Sequence, residues 1–470
     1  MSIPIPWGQR GSGHHATRVY VFFIALLLLP ISARGAGTDR TLEGEERPYG
    51  FYGDIRYRYE SRDNFSDKYY GSRPAEGAAH DAFLLQRLQI GMRYKVSRHL
   101  ELALGMRDAR VWDLDVPDEA YYNKSFGMIN HPHKGYTEPY ETYLKFNGLW
   151  GRDVTCVAGR QTICYGDNRI FGPGDWGNTG RYQWDALRLS WKNGPHFLDA
   201  LWGAYIIREP EELSLNHRHD GYGAAIYGHY EAAGALILEP FLASKYDRHE
   251  TFKGESGTGD RESWFSGVRL YGSLANGTYY DVTGVLERGT YGADQIRAYG
   301  YHIKGGWKVK SLPWSPDVSA EYSYASGDDD PTDGTRKTFA GVFGARDTMY
   351  GRVNLFDWEN LGDAQANLMV FPRKGLSFLA EFHKFWLAEE KDSWSLNRKL
   401  YRDRTGRSGD EVGRELDLIA TYDFKPGMTT MDDKIKIMVG ACRFWPDTFA
   451  KQVADDEAAD WIFVQMNYCL

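Results

Sequence analysis

The chain has 470 residues, a formal net charge of -8, 15% aromatic residues and a mean hydropathy of -0.54. Length alone permits two or three domains. The acidic balance argues against a protein that neutralises nucleic-acid phosphates over a broad face, and no Lys/Arg cluster opposes that. A total of 32 Tyr, 15 Trp and 52 Gly in so polar a chain suits a wall that is apolar on one side and wet on the other, with aromatic girdles at two membrane interfaces.

Residues 1–35 read as a secretory signal peptide. Arg10 and Arg18 supply positive charge, Val19 to Leu29 is an apolar run of 11, and Ala33, Arg34 and Gly35 put small residues at a cleavage spacing. Nothing later approaches the roughly 18 consecutive apolar residues of a spanning helix. The expectation is an exported chain whose residues 36–470 form one domain. Cys156 and Cys164 sit on one extended segment, roughly 26 Å apart at the usual strand rise. Cys442 and Cys469 fall near opposite ends of neighbouring strands, so no obligatory disulfide is expected.

Alternation begins directly after the leader. Between Tyr49 and Glu60, Phe51, Ile55, Tyr57 and Tyr59 share one face, whereas Asp54, Arg56, Arg58 and Glu60 share the other. Comparable segments follow at 81–95, 99–112, 138–147, 153–162, 182–192, 196–207, 220–231, 235–245 and 262–273. They continue at 278–288, 296–309, 317–325, 361–371, 376–388, 414–425, 434–445 and 461–470, which makes eighteen with the first. The segment 296–309 breaks the pattern, because Arg297 shares a face with Tyr299, Tyr301 and Ile303.

Connections alternate long and short: Ser61 to His80, then Val96 to Arg98, then Asp113 to Thr137, then Gly148 to Arg152. Short periplasmic turns alternating with long extracellular loops are the mark of an all-β transmembrane antiparallel barrel, and an even strand count leaves both termini on the periplasmic side. The last strand, Trp461 to Leu470, is amphipathic as barrel closure requires, although it ends in Leu470 with Tyr468 two residues before.

One stretch joins pattern to family. GRQ at 159–161, GPGDWGNTGR at 172–181 and the W-D-A-L-R-L strand at 184–189, with SGDDDPTDG at 326–334 and YGRVNLFDWENL at 350–361, resemble the alginate export family of outer-membrane porins. The resemblance implies a monomeric outer-membrane barrel that passes an acidic polysaccharide outward. Its partners would be outer-membrane lipid, an anionic polysaccharide and periplasmic polysaccharide-secretion components.

With the charged face turned to the lumen, the basic residues fall mainly in the first half: Arg56, Arg58, Arg87, Arg93, Lys95, Arg107, Lys145 and Arg188, then Arg269. Acidic ones fall largely in the second, at Asp281, Glu287, Glu321, Asp363, Glu381, Glu415 and Asp417. With Lys436 added to the basic set and Asp54, Glu60, Glu101 and Glu141 to the acidic one, the lumen is not net positive, which weakens a simple polyanion reading; a basic arc facing an acidic arc is one arrangement that the order of strands round a barrel allows. Several weak sites along that arc let a polyuronate both enter and leave; alternatively the arginines pair with lumenal acids and fill the interior. The 172–180 loop follows the fifth strand and so starts on the outer side. Folded inward, it puts Asp175 and Trp176 at a constriction, the acid opposite the basic wall and the indole offered to a sugar; left outside, it is a rigid turn cluster.

Asp328 and Asp330 are the weak metal candidates, but their run lacks the EF-hand register of alternate oxygens, Gly at six and Glu at twelve. The pairs His131, His133 and His217, His219 have no partner at zinc-ligand spacing. No nucleophile elbow, H-E-x-x-H, phosphate loop or dinucleotide fingerprint is present, so neither a cofactor nor a catalytic role is assigned. The sequence reading is an outer-membrane porin for a uronate-type exopolysaccharide. Its rivals are a general or small-anion porin, an outer-membrane enzyme in a barrel, and a secreted β-rich lectin.

Overall fold

The computed structural model describes residues 48–71, 79–124, 126–174, 176–180, 183–207, 220–232, 235–396, 399–428 and 432–470. The expected leader at 1–35, Asp175, and the pair His217 and His219 lie outside these residues.

Eighteen long strands follow one another: β1 (Tyr49–Asp63), β2 (Asp81–Ser97), β3 (Leu100–Trp112), β4 (Gly135–Phe146), β5 (Val154–Thr162) and β6 (Gln183–Asn193). Next come β7 (His196–Tyr205), β8 (Gly221–Ala232), β9 (Leu236–Lys253), β10 (Thr258–Ser273), β11 (Thr278–Tyr291) and β12 (Asp294–Lys308). The last are β13 (Asp317–Ala325), β14 (Leu361–Arg373), β15 (Leu376–Trp386), β16 (Glu411–Phe424), β17 (Lys434–Pro446) and β18 (Ala459–Cys469). Each pairs antiparallel with the next. Strand β18 returns to β1 in a register running from Asp54↔Cys469 to Asp63↔Asp460, which closes the barrel and leaves no open edge.

All eighteen expected segments are strands. The largest difference is the β9–β10 hairpin, which extends to Lys253 and Thr258, well beyond the expected 245 and 262. Its extension is polar on both faces and its ladder shifts between Asp247 and Phe252, so alternation could not mark it. The periplasmic turns are tight, as at Gly194-Pro195 and Lys374-Gly375, where Gly194 (φ 60) and Gly375 (φ 80) take left-handed backbone that a side chain disfavours.

Outward positions carry the apolar set. Phe51, Trp202, Leu242, Leu286, Ile303, Leu418 and Ile462 are exposed on the outer wall, with aromatics such as Trp112, Trp191, Trp264 and Trp307 toward the strand ends. Such a surface is stable only against lipid.

The interior is not uniformly ionic. From β5 to β11 the inward positions include Val157, Trp184, Leu201, Tyr205, Tyr227, Phe241, Phe265 and Val285, all buried. Two long extracellular connections, described over 163–174, 176–180 and 326–360, fold onto them. Phe171 and Phe343 form a parallel bridge, reinforced by Gly172 N–H to Phe343 O (3.1 Å) and Phe343 N–H to Ile170 O (3.0 Å). Phe343 packs edge-on against Trp184, with centroids 4.7 Å apart. Farther round, Phe356 stacks on Phe385 at 3.9 Å. These loops therefore build an apolar core inside the barrel, a feature the alternation of single strands does not encode.

Candidate functional site

The site is the lumenal wall together with the loop that folds onto it. Period-two alternation on β1, β2 and β3 sends Arg56, Arg58, Arg87 and Arg107 inward, where all four are buried. They converge on the turn 176–180. Arg58 Nη1 donates to Trp176 O (2.8 Å), Arg56 Nη2 to Gly177 O (2.9 Å) and Arg107 Nη1 to Thr179 O (2.8 Å), with a longer bond from Arg87 to Gly177 O (3.4 Å). Asn178 completes the grip. Its amide donates to the carbonyls of Gln86 (3.0 Å), Arg110 (3.2 Å) and His133 (2.7 Å), while its oxygen accepts from Arg56 (3.1 Å).

Charge-assisted donors on main-chain carbonyls explain why a Gly-rich loop is held at the wall. At Gly180 (φ 82) a Cβ would lie 2.0 Å from Arg107 Nη1, so the close approach requires glycine there. The loop thus folds inward. Trp176 lies over the Arg58 guanidinium (4.0 Å) and edge-on to Trp461 (5.3 Å) and Phe463 (4.8 Å), so one indole face is already covered.

The remaining basic residues separate into three groups. Arg93, Lys95 and Lys145 follow the same inward alternation toward the periplasmic ends of β2 and β4. Arg93 pairs with Glu141 (3.2 Å) yet keeps 52% of its side chain exposed. Arg188, on β6, lies beside the Tyr165 hydroxyl. Arg269, on β10, is clamped between Asp281 (2.5 Å) and Glu239 (3.1 Å).

Many of the basic side chains are partnered by carboxylates. Glu60 takes both Arg58 (2.7 Å) and Arg62 (2.8 Å), and Asp54 takes Arg87 (2.9 Å). The acidic residues of β13 to β16 have partners of their own. Lys304 meets Glu321 (2.6 Å), His383 meets Asp363 (3.0 Å) and Asp417 (4.0 Å), and Arg352 from the inner loop reaches Glu381. Glu415 accepts from Val353 N–H (2.8 Å), tying the 350–356 stretch to the wall.

At the extracellular mouth, His133 Nε2 contacts Asp67, which also binds Arg62, while His131 lies 3.5 Å from Asp118. Burial raises the Asp67 carboxyl, but Arg62 and then His133 outweigh it and hold the group well below the usual carboxylate range. Burial, with His133 adding, pushes His131 down to about 3, so this ring is neutral at physiological pH. In the Asp-rich loop, Asp328 is buried, with its N–H on Asp392 (2.9 Å), and Asp330 caps Thr332 (2.6 Å). Among the described residues, no three His, Cys, Asp or Glu are grouped to hold a metal ion.

Asn178 and the inner-loop aromatics Phe171, Phe343 and Phe356 were not singled out from the sequence. Asn178 belongs to the G-N-T-G run, whose only local signal is turn formation, and its three carbonyl partners come from three distant segments.

The chain matches the alginate export family model over residues 47–464. Among solved structures it is similar to Acinetobacter baumannii OccAB2, with 11% identity and a TM-score of 0.56 over 90% of this chain and 98% of that one. It is similar also to Pseudomonas aeruginosa OpdQ, with 13% identity and a TM-score of 0.57 over 90% of this chain and 99% of that one. For Pseudomonas aeruginosa OccD3 (OpdP) the values are 11% and 0.56 over 90% and 91%. At such identities the likeness concerns the fold. No curated protein matches the chain. A closed eighteen-strand barrel, an apolar outer wall and a family match over nearly the whole length lead to one assignment: the chain belongs to the alginate export family and is a channel of the Gram-negative outer membrane.

Proposed function

We propose that this channel passes an anionic, uronate-type polysaccharide or its oligomers along the basic arc of β1 to β4, passively and without a catalytic step. The observation that carries the reading is the gradient of exposure along that arc. Arg93 keeps 52% of its side chain exposed toward the periplasmic end, whereas Arg56 and Arg58 are buried beneath the 176–180 turn that they hold against the wall. A carboxylate polymer arriving from the periplasm meets accessible cations first and the loop second. Contacts in such a wet pore are individually weak, of the order of 1 to 4 kcal/mol at 4 Å for an effective dielectric between water and about 20. Interchangeable weak sites favour passage over trapping. Residues 1–35 act as the leader in this reading, the channel works as a monomer, and periplasmic secretion components deliver the polymer.

A second reading is a small-anion porin. It is favoured by the pairing of Arg58, Arg87 and Arg269 with carboxylates and by the covered face of Trp176, which leave less free cationic surface than a polymer track uses. Single-channel recording separates the two. A polyuronate channel is blocked by micromolar uronate oligomer from one side only, and a conductance indifferent to uronates removes the polysaccharide reading while leaving the porin.

A further inference from the structure

Arg297 breaks the alternation of β12, and the structure shows where it goes. It is exposed on the outer wall, in the row that continues through Tyr299 and Ile303. Directly opposite in the β11–β12 ladder stands Arg288, also exposed and outward. Both lie three residues from their ends of the hairpin, at Tyr291 and Asp294, which is the extracellular end by strand order. The next outward pair toward the bilayer is Leu286 and Tyr299, so the arginines cap the apolar band roughly 10 Å below the hairpin tip at the usual strand rise.

Two like charges facing each other across a ladder destabilise it, and cations on the lipid face are costly in proportion to their depth. Nearby acids do not relieve this pair. Glu287 turns inward to Arg261 (3.2 Å) and Ser263 (2.8 Å). Asp294 is buried and accepts from Ser256 N–H (2.8 Å), and Glu262 is held by the Trp264 indole N–H (2.9 Å). Among the described residues, neither arginine has a carboxylate partner; Arg288 donates only to the carbonyls of Glu287 (2.7 Å) and Ala298 (3.3 Å). Elsewhere on the outer wall, cations toward the same end do have acids. Lys384 pairs with Glu411 (2.6 Å), Arg414 with Asp447 (3.0 Å) and Arg443 with Asp460 (3.6 Å).

We propose that Arg288 and Arg297 form a lipid-facing clamp for the phosphate of an outer-leaflet lipid headgroup. Two guanidinium forks across one ladder match a phosphomonoester, whose charge offsets their mutual repulsion and whose oxygens take their free N–H groups. Trp264, opposite Arg288 and exposed, and Tyr299, beneath Arg297, supply the amphipathic floor for the sugar or glycerol that bears it. The occupant is a phosphorylated glycolipid, held by its headgroup and not by its acyl chains.

Native mass spectrometry of the detergent-solubilised barrel tests this, with bisphosphorylated lipid A and its dephosphorylated form as probes. The wild type is expected to retain the phosphorylated lipid at least about tenfold more strongly, as for a site gaining two charge-assisted contacts. The double variant Arg288→Gln, Arg297→Gln loses that preference, and Arg297→Lys keeps part of it. Equal retention of the two lipids by the wild type overturns the proposal, as does an undiminished preference in the folded double variant. Displacement of the lipid by equimolar inorganic phosphate would show a free-anion site and also overturn it. The wild-type comparison and the lysine variant decide the matter even if the glutamine variant does not fold.

Discussion

Asn178→Ala tests the grip on the inner loop. The buried Asn178 side chain donates to three carbonyls at 2.7 to 3.2 Å and accepts one bond from Arg56 at 3.1 Å. Neutral bonds of this kind contribute about 1 kcal/mol each and a charged one about 1.5 to 3. The amide has two hydrogens to share among the three carbonyls, so the sum is about 4 kcal/mol, and water entering the vacated space restores part of it, leaving a net loss of about 3 kcal/mol. With about 1.4 kcal/mol per decade, the undocked population of the 176–180 turn rises roughly a hundredfold. In planar bilayers the variant is expected to show a larger mean conductance and frequent transitions to a wider level, whereas the wild type stays largely in the narrow one. The barrel itself should persist, because its closing ladder of β1 with β18 is untouched. Indistinguishable conductance and noise in variant and wild type would refute the claim that this side chain holds the loop inside the barrel against the wall.

Three further outcomes are expected. Trp176→Ala removes the ring that covers Arg58 at 4.0 Å, so conductance should rise and block by uronate oligomers should weaken, measured as the oligomer concentration giving half block. Burial, with Glu255 and Asp392 adding, pushes the Asp328 carboxyl up to about 7. An acid raised in this way binds its proton more tightly in the folded loop than in the unfolded chain, so its stabilisation is full below 3.8 and is lost as pH rises through about 7. Hydrogen exchange in 326–340, corrected for intrinsic rates, should therefore quicken between about pH 5 and about pH 8, and Asp328→Asn should flatten the change. Glu60→Gln leaves Arg58 and Arg62 without their shared carboxylate and should lower thermal stability by about 3 kcal/mol, as for breaking a buried pair, read from the temperature of the heat-modifiable mobility shift.

The strands were legible because lipid imposes alternation. Leu286 outward and Glu287 inward is a signal any window finds, and it held even for 296–309, where Arg297 obscured it. Hairpin ends above the membrane were not legible, since at Tyr246 to Lys253 both faces are wet and the selection for alternation ceases. The inward direction of Arg56, Arg58, Arg87 and Arg107 followed from parity, but their partners did not. Pairings such as Arg58 with Glu60 are local, whereas Arg107 with Thr179 O joins segments separated by two hairpins, and only the closed barrel brings them together. The apolar core inside the barrel was missed for a related reason. Phe171 and Phe343 stand in Gly- and Asp-rich loops, where isolated aromatics carry no periodicity.

The ionic wall is the central claim, and the reversal potential in a potassium chloride gradient tests it most directly. Wild-type channels should prefer anions. Replacing the periplasmic-side set Arg93, Lys95 and Lys145 together by glutamine should move the potential toward the potassium value, because Glu141 and Glu101 then dominate that stretch. A wild-type channel that prefers cations, or a triple variant with an unchanged potential, would contradict the account.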